Sequence, residues 1–219
     1  MKRIDIYVEG PHDQQFIADC LAHFYKLNLV HKGNNYIYQN QEIGINLYRT
    51  NGWSNLTSKH FFRDMRNLVD EDGGTNLVIF DADKTGQQGT NSGGFEHRRA
   101  AIEKYKSVHN VDFELFLFPN NQEDGTLEAL IRKIVPEKMK PVLNCLEGFN
   151  NCINKIAEEE NITITAYAKE KIDTYKNIVL GRQANNRETS FLNDKLWDLN
   201  MEGIKPLKDF LDYQFSDTI

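Results

Sequence analysis

The chain has 219 residues, 40% of them hydrophobic and 26% charged, an ordinary balance for a soluble globular protein long enough to bury a core. Nothing in its formal charge of −6 suggests a protein that coats nucleic acid, which is a constraint and not a refutation. Any polyanion has to be met by a local basic patch or by bound cations.

Residues 3–8 (RIDIYV) alternate as a strand, which Gly10-Pro11 breaks. From Asp13 onward, Phe16, Ile17, Cys20, Leu21 and Phe24 recur at helical spacing and predict an amphipathic helix over 13–27. The polar and aromatic stretch 33–41 reads as a loop or a short hairpin, and 43–49 as a second strand. Phe61, Phe62, Met65, Leu68 and Val69 mark a second helix that ends before the DEDGG at 70–74. A third strand covers 77–80, and the Gly-, Thr-, Ser- and Asn-rich 84–94 is a loop. A helix over 95–107, a strand at 113–118, the loop PNNQEDG and a helix over 126–135 complete a β-α-β-α-β-α-β-α order. Strands this apolar, alternating with helices, predict a Rossmann-like α/β domain whose parallel sheet is flanked by helices. Right-handed crossovers then put every strand's C-terminal end on one edge, where ligands of open α/β sheets sit.

Pro136 to Pro141 marks a boundary. The expected division is an α/β domain over 1–135 and a helical C-terminal extension over 136–219 packed on it, with helices at 142–159, 166–180 and 204–214. Cys20, Cys145 and Cys152 have no CxxC spacing, which argues against a disulfide framework or a structural zinc site and for reduced, mostly buried thiols in a cytoplasmic protein. MKRIDIYVEG lacks a signal core, and no run reaches the ~18 apolar residues that span a bilayer, so no membrane partner is expected.

Acidic side chains gather at the expected strand ends. Glu9 follows the first strand, Asp81 and Asp83 end the third, and Glu123, Asp124 and Glu128 follow the fourth. Carboxylates brought together repel one another unless protons or a cation intervene, and oxygen donors of this kind suit Mg²⁺ or Mn²⁺. Each also has a plainer use. Asp13 and Asp124 suit helix caps, Glu123 suits solvent, and Glu128 borders the apolar stripe Leu127, Leu130, Ile131 and Ile134. No HxH or HxxxH pair exists, although His12 adjoins the expected site. Trp53 and Trp197 are expected as core or interface anchors.

VEGPHD at 8–13 resembles the first signature of TOPRIM domains, a glutamate-glycine step at the end of the first strand. FDAD at 80–83 resembles their DxD signature after the third. FPNNQEDGTLEALI and the tail PLKDFLDYQF more closely resemble an uncharacterised bacterial family in that superfamily, related to the OLD nucleases, over nearly the whole chain. The resemblance implies Glu9 as acid–base residue or metal ligand, Asp81 and Asp83 as Mg²⁺ (or Mn²⁺) ligands, and Glu128 as ligand to a second metal. It implies Asp13 in support behind them and Lys84 as a phosphate contact. The implied activity is metal-dependent phosphodiester chemistry on DNA or RNA, foremost as a nuclease. The alternative is a non-catalytic metal-, nucleotide- or nucleic-acid-binding module working with an ATPase partner or with another copy of itself. A haloacid-dehalogenase-type phosphatase also carries DxD, but there the motif continues Gly-Thr where this chain has Lys84-Thr85. Two stretches are net basic and could meet a polyanion: 84–106, with Lys84, Arg98, Arg99, Lys104 and Lys106, and 168–187, with Lys169, Lys171, Lys176, Arg182 and Arg187.

Overall fold

The computed structural model describes residues 1–56, 59–86, 93–162, 168–181 and 189–216. Six strands form one sheet: β1 (Lys2–Val8), β2 (Val30–Lys32), β3 (Asn35–Gln39), β4 (Ile43–Arg49), β5 (Thr75–Asp81) and β6 (Glu114–Phe118), in the order β2-β3-β4-β1-β5-β6. The described helices are α1 (Pro11–Tyr25), α2 (Trp53–Leu56), α3 (Lys59–Asp72), α4 (Phe95–His109), α5 (Leu127–Lys133), α6 (Lys140–Glu159), α7 (Ala168–Leu180) and α8 (Lys205–Phe215). The α/β architecture is as the hydrophobic pattern predicts. The sheet is mixed, however, because only β4, β1, β5 and β6 run parallel. β2 and β3 form the hairpin at 30–39 and join β4 antiparallel.

Alternation along the central strands separates two cores. Ile4, Ile6 and Val8 of β1 and Leu77 and Ile79 of β5 face α1, α5 and the C-terminal helices. Tyr7, Val78 and Phe80, one residue out of phase, face α2, α3 and α4 through Leu56, Met65, Phe95, Ile102 and Tyr105. Side chains of a strand point to opposite faces with period two, so both faces of a central strand are apolar when helices cover both. The C-terminal segment adds Leu143, Tyr175, Phe191, Trp197, Leu207 and Phe215 to the same continuous core as β1 and α1.

The turn from α3 into β5 is tight. A Cβ at Gly74 would lie 2.6 Å from Leu68 Cδ1 and 2.7 Å from the Arg3 carbonyl oxygen. Gly74→Ala is therefore expected to destabilise the fold by about 1–3 kcal/mol, as overpacking does, which a thermal melt of the purified variant would register.

Two of the three thiols differ from expectation: Cys20 is buried, but Cys145 and Cys152 lie exposed on α6. Among the described residues no helix is long and apolar enough to cross a membrane.

Candidate functional site

In the sheet register Val8 sits beside Ile79 of β5 and Arg49 of β4. The residues leaving these parallel strands therefore emerge side by side. A cleft of about 330 Å³ opens there, lined by Glu9, Gly10, Pro11, His12, Asp13, Asn51, Gly52, Asp81 and Glu128. Four carboxylates from three separate stretches of sequence thus share one hollow: two at strand ends, one on α1 and one on α5. A larger hollow of about 500 Å³ between α3 and α4 holds both charge signs, among them Arg66, Asp70, Glu103 and Lys106, and no strand end reaches it.

Each acid is held by its local structure. The helix α1 starts at Pro11, two residues before the predicted start, with Gly10 as N-cap. Asp13 is consequently at the third helical position, not the cap, and accepts the Gly10 backbone N–H at 2.7 Å. This is the carboxylate half of a capping box. Asp81 Oδ1 accepts the Leu127 N–H, at the start of α5, at 2.8 Å. Glu128 Oε2 accepts the Thr126 hydroxyl at 2.8 Å. Glu9 Oε1 is buried and has no hydrogen-bond partner.

The electrostatics follow from this crowding. Burial, then the carboxylates of Asp13, Glu9 and Glu128, push Asp81 well above the usual range, while the Leu127 N–H draws it back. Burial pushes Glu9 up to about 7; Arg98 lowers it, Asp83 and Asp13 raise it, and the Asp81 backbone N–H lowers it. Among the described residues no three His, Cys, Asp or Glu side chains stand in an arrangement that holds a metal ion. Asp13, Asp81 and Glu128 are each turned to a local donor, the Gly10 N–H, the Leu127 N–H and the Thr126 hydroxyl respectively.

Asp83 is not part of the cleft lining. It lies just past β5 in the left-handed region, with φ of 60°, and its carbonyl accepts the Gly125 N–H at 2.8 Å in an isolated antiparallel bridge. Its carboxylate pairs instead with the buried guanidinium of Arg98 on α4. Lys84 is exposed on the outgoing turn and does not line the cleft. Glu123 is exposed and pairs with Lys133 at 3.6 Å. Asp124 accepts the Phe95 N–H at 2.7 Å and the Thr85 hydroxyl at 2.7 Å. It thereby ties the start of α4 to the turn after β5. These bonds hold its carboxyl below the usual range.

The basic stretch 84–106 is only partly available. Arg98 is committed to Asp83, and Lys106 to Asp112 at 2.9 Å and the Phe113 carbonyl at 2.7 Å. Arg99 and Lys104 are exposed along with Lys84. Of the other basic stretch, Lys176 is buried against Asp173. Arg182, Arg187 and the side chains of Lys169 and Lys171 lie outside the described residues, as do residues 87–92 of the loop after β5.

Reading by motif missed Arg98, Asn51 and Gly52. Arg98 carried a detectable signal, since it interrupts the buried stripe Phe95, Ile102, Tyr105 of α4 at helical spacing. A cation there needs a buried partner. Asn51 and Gly52 carried none, because nothing local says which loop will border a cleft.

No curated protein matches this chain by sequence. Among solved structures, a hypothetical protein, PH0156, from Pyrococcus horikoshii OT3 is similar in fold, with a TM-score of 0.55, 11% identity, and coverage of 100% of this chain and 95% of that one. A futalosine hydrolase mutant of Helicobacter pylori strain 26695 has a TM-score of 0.27 and 11% identity, with coverage of 99% of this chain and 98% of that one; such a score bears no argument. Residues 4–216 match the model of the family described as "Protein of unknown function (DUF3226)", and the chain belongs to that family.

Proposed function

We propose that the cleft is a TOPRIM-type divalent-cation site that performs phosphodiester hydrolysis on nucleic acid, acting as a nuclease. The observation that carries this reading is the convergence of Glu9, Asp13, Asp81 and Glu128 on one hollow at the C-terminal edge of the parallel strands. The donor set fits a hard cation: it is all carboxylate, and Glu9 presents a buried oxygen with no partner. Glu9, Asp81 and Glu128 would hold Mg²⁺ or Mn²⁺, which when bound would polarise a phosphate oxygen as a Lewis acid.

The remaining roles belong to the chain itself. The Leu127 N–H fixes the orientation of Asp81, and Asp13 fixes the turn that carries Glu9 through the Gly10 N–H. A Glu9 carboxyl near 7 in the cation-free cleft carries a proton part of the time at neutral pH, and it would lose that proton and stand as carboxylate beside a bound cation. Lys84, Arg99 and Lys104 are the exposed cations of 84–106 with which a polyanion backbone would pair.

A second reading has its own support. The carboxylates are turned to local donors, and Asp83 is bound to Arg98. That arrangement also suits a non-catalytic module that binds cation and nucleotide or nucleic acid beside an ATPase partner. The test is a cleavage screen of end-labelled single- and double-stranded DNA and RNA with Mg²⁺ or Mn²⁺, comparing the wild type with Glu9→Gln. Cation-dependent cleavage that falls by about 10²-fold or more in Glu9→Gln is expected when a ligand is lost, since the partners that merely orient ligands control about 10–100-fold. Saturable cation binding without cleavage of any substrate would move the assignment to the binding module.

A further inference from the structure

We propose that Arg98 is a positioning residue that withholds Asp83 from the carboxylate cluster, so that the cation site of the resting protein is built without the second aspartate of FDAD. The proposal rests on the cation reading of the cleft and identifies which acids serve it.

The geometry is specific. The Arg98 side chain is 3% exposed and that of Asp83 28%, so the pair is anchored from the buried side. Arg98 stands in the apolar stripe of α4, with its guanidinium over the Trp53 ring at 5.3 Å from the centroid. Its Nε and Nη1 are buried without hydrogen-bond partners, which leaves Asp83 as its carboxylate partner among the described residues. A guanidinium in that setting cannot give up its counter-ion without leaving an uncompensated buried charge. The backbone of Asp83 is held too, through its left-handed φ and its bridge to Gly125. Two constraints thus keep the carboxylate on α4, while Asp81, two residues earlier, lines the cleft. The helix start that carries Arg98 is itself tied to the same strand end: the Gly94 N–H donates to the Ala82 carbonyl at 2.9 Å.

A merely structural ion pair and a withholding one differ in what its removal does to cation binding. The experiment is a calorimetric Mn²⁺ titration of the full chain in the wild type, Arg98→Gln, Arg98→Met, Arg98→Lys and Arg98→Gln/Asp83→Asn. Freed Asp83 is expected to tighten Mn²⁺ binding by about tenfold or more, the lower end of what partners of ligands typically control. Adding Asp83→Asn is expected to cancel the gain, and Arg98→Lys, which keeps the charge, to stay near the wild type. Arg98→Met preserves the apolar stem beside Trp53 and serves if Arg98→Gln fails to fold. A silent wild type with Asp83-dependent binding in the charge-removed variants would sink the cation reading of the native site and support the withholding role. Binding in these variants no tighter than wild type, or a gain that survives Asp83→Asn, overturns the proposal. Asp83→Asn alone gives an independent check, with affinity expected within about threefold of wild type; a loss as complete as that of Asp81→Asn also overturns it.

Discussion

Asp81→Asn is expected to abolish divalent-cation binding and, at the same time, to raise the melting temperature of the cation-free protein. Asn is isosteric, and its Oδ1 can still accept the Leu127 N–H. What it removes is an ionisable group that burial, and then the carboxylates of Asp13, Glu9 and Glu128, hold well above its ordinary range. Relief of about 1–3 kcal/mol corresponds to roughly 2–12 °C for a chain of this size. Glu9 sets the sign of the pH dependence. Its carboxyl titrates at about 7 in the fold against 4.5 ordinarily, so between those values the native state binds more protons than the unfolded one. Stability is therefore highest below pH 4.5 as far as this group is concerned, and falls as pH rises through 7, by up to about 3 kcal/mol.

A bound cation acts in the opposite direction at neutral pH, because it stabilises the ionised acids. At a free concentration one hundred times Kd it adds about 2.7 kcal/mol, or roughly 5–10 °C. Melts of wild type, Asp81→Asn and Glu9→Gln from pH 5 to 8, with and without Mn²⁺, check all of this. Equal Mn²⁺ stabilisation of wild type and Asp81→Asn would remove Asp81 from the ligand set. A lower melting temperature for cation-free Asp81→Asn at pH 8 would show that the acid cluster is not a site of net repulsion.

Trp197→Ala is expected to cost about 3–5 kcal/mol, the range for emptying a large aromatic from a core, and to lower the melting temperature by roughly 6–20 °C. The indole is buried against Tyr175 at 5.5 Å and Phe191 at 5.4 Å between ring centroids. Phe191 in turn packs on Phe16 at 4.8 Å and on His12 at 5.4 Å. The buried Asp19 carboxylate of α1 accepts the Phe191 N–H at 2.7 Å, and the Asp198 N–H donates to the Ile134 carbonyl at 2.8 Å. Loss of the indole therefore loosens the C-terminal segment from the helix whose first turn lines the cleft. Far-ultraviolet dichroism and tryptophan fluorescence from Trp53 should report one shared transition at the lower temperature, with Trp197→Phe recovering most of the loss. Two separated transitions in the wild type would mean that residues 136–219 unfold independently of the sheet.

The sheet strands and most helices were legible in the sequence because their signals are local. RIDIYV, the stripe Phe16, Ile17, Cys20, Leu21 and the run LVIF state their own periodicity, and burial on one or both faces follows from it. The start of α1 was misplaced because Asp13 at the third helical position and Asp at an N-cap look alike in sequence. Only the Gly10 N–H shows which it is. The hairpin of β2 and β3 reads in sequence equally as a loop or a strand pair, since its exposed edge carries little apolar pattern; pairing with β4 makes it part of the sheet.

At the site, sequence alone determined which acids leave the strands, and alternation with right-handed crossovers put them on one edge. It could not determine where the carboxylates point. Glu9, Asp81 and Glu128 face a common cleft because β1 and β5 are neighbours in register and α5 returns over their ends. Asp83, one residue beyond Ala82, does not, because a buried arginine fifteen positions later supplies a stronger partner than the crowded cluster. Two carboxylates in a three-residue motif are chemically identical as text. The tertiary structure separates them, since Coulomb repulsion and desolvation depend on what folds against each one and not on the motif they share.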